Sequence, residues 1–296
     1  DKKLVESSLT LLQNYENLLP LKSLDTLRIA SVSIGDSAID FKDMLSNYAP
    51  IDHFSISEQS TVAEQAVLLN KLSDFNLVIV SVHKSNASAW ESYKIQREVD
   101  ILLQSISLQS KVVVSIFANP YSINSCLFTN NFDALILAYQ NSIVAQEQTA
   151  QAIFGGIGMN GRLPVTTKHF KITSGLDTDP IRIKYIFPEE IKLDSDIFYK
   201  IDSIVNYAIS EEATPGCQIL IAKNGNVFFN KSYGYHTYNK KRKVHNSDIY
   251  DLASITKIIA TAPILMQMVD DGVFRIDDTL GNYLDLDSSD KSDLNI

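Results

Sequence analysis

Residues 1 to about 170 alternate between two apolar periods, and that alternation constrains the fold more than any other feature of the chain. Strand-like runs fall at Arg28–Ile34, His53–Ile56, Leu77–Val82, Lys111–Phe117 and Ala134–Ala138. Between them the spacing predicts helices over Phe41–Tyr48, Thr61–Leu72, Tyr93–Gln109, Ile123–Phe128 and Ile143–Phe154. Leu77-Val78-Ile79-Val80 and Val112-Val113-Val114 are apolar on both faces, as strands covered by helices on each side must be. Strand–helix alternation of this kind predicts a mainly parallel sheet joined by right-handed crossovers. The expected first unit, residues 1–170, is therefore a doubly wound α/β sandwich.

The 296 residues allow one large domain or two ordinary ones, and at 45% hydrophobic they can bury sizeable cores. A net charge of −9 argues against a nucleic-acid or anionic-membrane partner. The basic run Lys240-Lys241-Arg242-Lys243 reads as a solvated loop. Cys126 and Cys217 lie far apart and lack metal-ligand spacing, so they read as buried free thiols, and no metal or cofactor is expected. No apolar run reaches the roughly 18 residues of a membrane helix, and no signal-peptide pattern is present. Opening on Asp1 inside a helical pattern and closing on Ile296 without a terminal element, the chain reads as cut at both ends.

Ligands of doubly wound sheets sit beyond the carboxyl ends of the strands. Here those loops carry Gly35-Asp36-Ser37, His83-Lys84-Ser85-Asn86 and Asn119-Pro120-Tyr121. Gly35 stands alone where a dinucleotide fingerprint needs three glycines. Gly155-Gly156-Ile157-Gly158 follows a helix, so it reads as a C-cap and turn rather than a phosphate loop. His83 and Glu91 read as surface residues in preference to groups lining a cleft.

Two stretches resemble the C-terminal domain of family 3 glycoside hydrolases. Ser8-Leu9-Thr10-Leu11-Leu12-Gln13-Asn14, followed by Leu18-Leu19-Pro20-Leu21, is similar to the beginning of that domain. Ile153-Phe154-Gly155-Gly156, followed by Gly161-Arg162-Leu163-Pro164-Val165, is similar to its end. The resemblance implies an association with glycan substrates. It also implies that the nucleophilic aspartate lies on a (β/α)8 barrel, of which this chain has none. In the β-N-acetylhexosaminidase branch the acid/base is a barrel histidine. In the β-glucosidase branch it is a glutamate of this domain, but the surroundings of Glu91 do not match that branch closely. A glycosidase needs two carboxyl groups flanking one bond, and no such pair is identifiable. The first unit is expected to be the non-catalytic half of a glycosidase.

Residues 171–193, punctuated by Pro180 and Pro188, read as a connection to a second unit, residues 194–296. There Asp194 is an N-cap for an amphipathic helix running to Ser210. Gln218–Lys223 and Asn226–Gly234 read as strands of a hairpin turning on Asn224-Gly225. Then comes Asp251-Leu252-Ala253-Ser254-Ile255-Thr256-Lys257, at the start of a helix expected from Ser254 to about Asp271. Positions i and i+3 lie on one helical face, so the Lys257 amine can reach the Ser254 hydroxyl. A neighbouring base is one way to activate a serine, and unpaired N–H groups at a helix start favour developing negative charge. The bland alternative is a serine N-cap with a solvated lysine one turn later.

The succession of helix, Thr214-Pro215-Gly216-Cys217-Gln218, hairpin, Ser232-Tyr233-Gly234-Tyr235 and Ile249 to Lys257 resembles the class C β-lactamase and DD-peptidase family. Asp270-Asp271-Gly272, Ile276-Asp277-Asp278 and Tyr283-Leu284 extend the match. The resemblance implies that Ser254 is the acyl-forming nucleophile and Lys257 its base or proton relay. The Ser254 N–H would be one arm of an oxyanion hole, in a pocket at the helix end. The family's Tyr-x-Asn and Lys/His-Thr-Gly motifs are absent after Ser254. Tyr15-Glu16-Asn17 and Tyr139-Gln140-Asn141 precede it and read as coincidences. The site is therefore expected to be incomplete, without nitrocefin hydrolysis or a stable penicillin adduct.

Together the two resemblances describe part of a hydrolase joining a family 3 glycosidase, of β-N-acetylhexosaminidase type, to a serine acyl hydrolase. The implied partners are a glycan or peptidoglycan substrate, the absent barrel and the remainder of the β-lactamase domain. The implied compartment is periplasmic or extracellular. The alternative is a hexosaminidase that retains the serine unit as a structural or peptide-binding module. A third reading is a carbohydrate-binding scaffold.

Overall fold

A computed structural model describes residues 2–84, 93–127, 129–273, 275–285, 291, 293 and 294. The chain divides into two compact units, Asp1–Ser247 and Asp248–Ile296.

The first unit opens with helix α1 (Lys2–Ser8), strand β1 (Thr10–Asn14) and strand β2 (Ile29–Gly35). It continues through α2 (Ile39–Ser46), β3 (Ile51–Ile56), α3 (Val62–Leu72), β4 (Leu77–His83) and α4 (Arg97–Ser107). β5 (Lys111–Phe117), β6 (Ala134–Leu137) and α5 (Ile143–Phe154) complete the sandwich. The sheet order is β1-β6-β5-β4-β2-β3. Five strands are parallel in the expected way. β1 is antiparallel to β6, so the sheet is mixed. That edge strand lies in Ser8–Asn14, which lacks strand–helix alternation and whose pairing partner is more than 100 residues away in sequence.

Alternate residues of one strand feed two cores. Leu77 and Ile79 of β4 join Phe41, Leu45, Ile153 and Phe154 on the α2/α5 face. Val78 and Val80 join Leu68, Leu72, Leu102 and Leu103 on the α3/α4 face. Each such side chain contributes about 1.5–3 kcal/mol by leaving water, which explains why doubly apolar runs mark the central strands. The helix ends are fixed locally. Thr61 and Glu64 form a reciprocal capping box on α3. Ser142 caps α5, which Gly155 closes at φ 77°, as the glycine pattern predicts. Over Ile123–Phe128 the structure instead has a 3-10 turn, Pro120–Ser125, started by the Asn119 side chain accepting from the Tyr121 N–H. Phe128 lies outside the described residues.

The stretch after α5 lies across this sandwich. Ile181 and Arg182 donate backbone N–H groups to Gly155 O. Strand β7 (Lys184–Tyr185) then joins a three-stranded sheet, order β7-β9-β8. After α6 (Tyr199–Ser210), β8 (Gly216–Lys223) and β9 (Asn226–Gly234) form the predicted hairpin. Its turn has positive φ at both Asn224 and Gly225, 51° and 76°, as a two-residue hairpin turn requires. Asp194 caps the preceding 3-10 turn rather than α6 itself, its carboxylate accepting from the Asp196 N–H.

The second unit contains α7 (Ala262–Asp270). The predicted helix from Ser254 is not uniform, because Lys257–Thr261 wind as a π-helix before α7 begins. Pro263, in the first turn of α7, has no N–H to give an α-type bond back to Ile259.

Candidate active site

The serine and lysine singled out by their spacing meet in the structure. Lys257 Nζ donates to Ser254 Oγ at 3.1 Å. Three successive i→i+3 bonds shape the backbone beneath them: Ile255 N to Leu252 O (2.9 Å), Thr256 N to Ala253 O (3.1 Å) and Lys257 N to Ser254 O (3.1 Å). Ser254 thus lies on a tight turn between left-handed Ala253, at φ 44°, and the π-helix. The Ser254 N–H has no hydrogen-bond partner among the described residues. Residues 251–267 are exposed throughout, so the pocket expected around the pair is not formed by the described residues.

One contributor escapes the motif. Asp251 Oδ1 accepts the Ala253 N–H at 2.8 Å. An acidic side chain two residues before a backbone donor is the signal that could have identified it.

In the first unit the carboxyl edge of the sheet carries a buried relay. His83 ends β4, pairs with Gly35 across the sheet and is fully buried, contrary to its expected place on the surface. Its ring stacks on Phe117 at 4.4 Å between centroids. His83 Nδ1 bonds Asn141 Oδ1 at 2.9 Å, which places the ring proton on Nδ1. Asn141 Oδ1 also accepts from Gln146 Nε2 (2.8 Å), whose other hydrogen goes to Ser37 O (3.1 Å). Gln146 Oε1 accepts the Phe41 N–H, fixing the first turn of α2. Burial pulls the His83 pKa down to about 4, against the upward pull of its bond to Asn141. Lys84 forms an ion pair with Glu58. Asn141 is thus part of a structural relay, and Tyr15-Glu16-Asn17 is a 3-10 turn; both lie in the first unit. Glu91, Ser85 and Asn86 lie outside the described residues. Among the described residues no cluster of three or more His, Cys, Asp or Glu side chains could hold a metal ion. No helix there is long and apolar enough to cross a membrane.

The fold defines an α/β domain of the glycosidase-associated type, followed by a segment that carries the Ser254–Lys257 pair. The chain belongs to the glycosyl hydrolase family 3 C-terminal domain family, whose model matches residues 9–207. The beta-lactamase family model matches residues 201–295. Protein flp of Staphylococcus aureus (strain NCTC 8325 / PS 47) is 33% identical over 93 residues, 31% of this chain and 18% of that protein. Flp of strain MRSA252 matches to the same extent. Among solved structures, a family 3 β-N-acetylglucosaminidase from Paenibacillus sp. str. FPU-7 shares 18% identity at a TM-score of 0.42. That likeness covers 52% of this chain and 29% of the other. A β-glucosidase from Listeria innocua shares 15% at a TM-score of 0.48, covering 66% and 30%. The chain therefore spans less than a third of each of these relatives.

Proposed function

We propose that this chain is the junction of a hydrolase acting on cell-wall or amino-sugar glycan material. In this reading the α/β domain is the ancillary domain of a β-N-acetylhexosaminidase-type glycosidase. Ser254 and Lys257 are the nucleophile and base of a serine acyl hydrolase. The observation that carries the reading is the 3.1 Å contact between Lys257 Nζ and Ser254 Oγ, inside a segment matched by the beta-lactamase family model.

The chemistry follows from those atoms. In this reading the Lys257 amine takes the hydroxyl proton as Ser254 Oγ bonds to an ester or amide carbonyl carbon. The Ser254 N–H stabilises the resulting oxyanion. Collapse breaks the bond to the leaving group, which receives the proton from Lys257, and water then hydrolyses the acyl-serine. Substrate contacts come from glycan or peptidoglycan and from parts of the protein beyond this chain, in a periplasmic or extracellular setting.

A short-chain ester assay on the longest protein containing this sequence tests the reading. Ser254→Ala and Lys257→Ala are each expected to lower turnover at least about 1,000-fold. Unchanged turnover in Ser254→Ala would exclude acyl transfer at this serine. Turnover of a nitrophenyl N-acetylglucosaminide but not the glucoside supports the hexosaminidase assignment. A second reading, a peptide-binding module, is favoured by the exposure of Ile258, Ile259, Ile264 and Met266 in the segment that follows the pair. It predicts muropeptide binding that survives Ser254→Ala in a protein without esterase activity.

A further inference from the structure

Ala253 occupies a backbone region that L side chains other than asparagine and aspartate rarely visit, at φ 44°. The Leu252 O to Ile255 N bond closes a turn whose two central residues are Ala253 and Ser254. A positive φ at the first central position belongs to turns that favour glycine, yet here it is an alanine, next to the serine and in an exposed segment. Tertiary packing therefore does not impose the conformation. A side-chain hydrogen bond reaches this backbone from Asp251, whose Oδ1 accepts the Ala253 N–H at 2.8 Å. A charged acceptor makes that bond stronger than a neutral one.

From this juxtaposition we infer that Asp251 is a positioning residue for acyl transfer at Ser254. Its carboxylate holds Ala253 left-handed and so fixes the turn that presents both the Ser254 hydroxyl and the Ser254 N–H. If Ala253 relaxes to the right-handed region, the peptide plane carrying the Ser254 N–H reorients, and the turn closed by Leu252 and Ile255 opens. The nucleophile and its oxyanion donor then no longer face one carbonyl together. The inference rests on Ser254 being the nucleophile.

The test uses the protein as it exists, with p-nitrophenyl acetate as the acyl donor. Release of p-nitrophenolate gives the acylation rate, and mass spectrometry locates the acetyl group. Asp251→Ala is expected to slow acylation about tenfold, the scale set by the left-handed penalty of an alanine, with little change in KM. Asp251→Asn keeps an acceptor oxygen and should stay within about threefold of the parent protein. Glycine takes a positive φ without that penalty, so adding Ala253→Gly to Asp251→Ala is expected to restore most of the rate. A purely stabilising role for Asp251 would lower thermal stability without that rescue. A normal rate in Asp251→Ala, or a loss that Ala253→Gly leaves uncorrected, overturns the inference while leaving Ser254 as nucleophile. Equal acetylation of the parent protein and Ser254→Ala overturns the nucleophile assignment and the inference with it.

Discussion

His83 shows how one side chain can tie an α/β edge together and make it sensitive to acid. It carries no charge near neutrality because burial disfavours the imidazolium, and its pKa sits at about 4. In the unfolded chain the group titrates at about 6.5. Between those two values the unfolded state binds the proton and the folded state does not, so stability falls as pH drops through that window. The contribution is complete above about pH 6.5 and is lost by about pH 4. It amounts to on the order of 3 kcal/mol. Urea titrations at intervals from pH 7 to pH 4 should therefore show a steeper decline for the parent protein than for His83→Asn. Parallel curves would mean that the ring is already accessible to protons. The Asn141–Gln146 relay makes the effect local: the proton would have to enter beside Phe117 and Phe41, where no described residue offers Nε2 an acceptor.

At the level of elements, two glycines with positive φ separate conformation from packing. Gly225 in the hairpin turn has nothing within 4 Å of where a Cβ would sit, whereas a Cβ on Gly155 would lie 2.6 Å from Ile181 Cγ1 and 2.8 Å from Pro20 Cβ. Gly225→Ala is expected to cost about 1 kcal/mol, the conformational penalty alone. Gly155→Ala should cost about 3 kcal/mol, because the overpacking adds to that penalty. Equal losses in denaturant unfolding would argue against the contact of Gly155 with the stretch after α5. These elements also show what could be read in advance. The central strands, the hairpin and α5 were legible because each declares itself within about ten residues, by apolar run, Asn-Gly turn or capping pair. β1 was not, since an edge strand is defined by a partner distant in sequence. The π-helix after Lys257 was hidden for a different reason: periodicity barely distinguishes it from an α-helix, and only Pro263 hints at the break. The contact between Lys257 and Ser254 was legible from spacing; the bond of Asp251 to the Ala253 N–H was not, because it accompanies an unusual φ at Ala253 that no periodicity announces.

For the whole molecule, burial is distributed very unevenly. β4 is buried along its whole length, while residues 251–267 are exposed from end to end. Amide exchange is expected to report this directly. Amides of β4 and the interior of β5 should exchange only through global unfolding, and those of 255–267 at least about a thousandfold faster. Comparable protection in the two regions would show that residues 255–267 are covered in solution. The boundary between the two family matches is organised differently. Both models include residues 201–207 of α6. Just before it, Tyr185 bonds Gln151 of α5 through its backbone and Asn47 through its hydroxyl, while Asn230 of β9 reaches the Asn47 side chain. β7 is thus mortised into both neighbours. Replacing the α/β part with that of a relative, as an interchangeable cassette cut near residue 193, would leave half of this joint behind. Shuffled proteins should retain solubility only when the segment from Ile181 to Asn230 is inherited with the α/β partner that fits it.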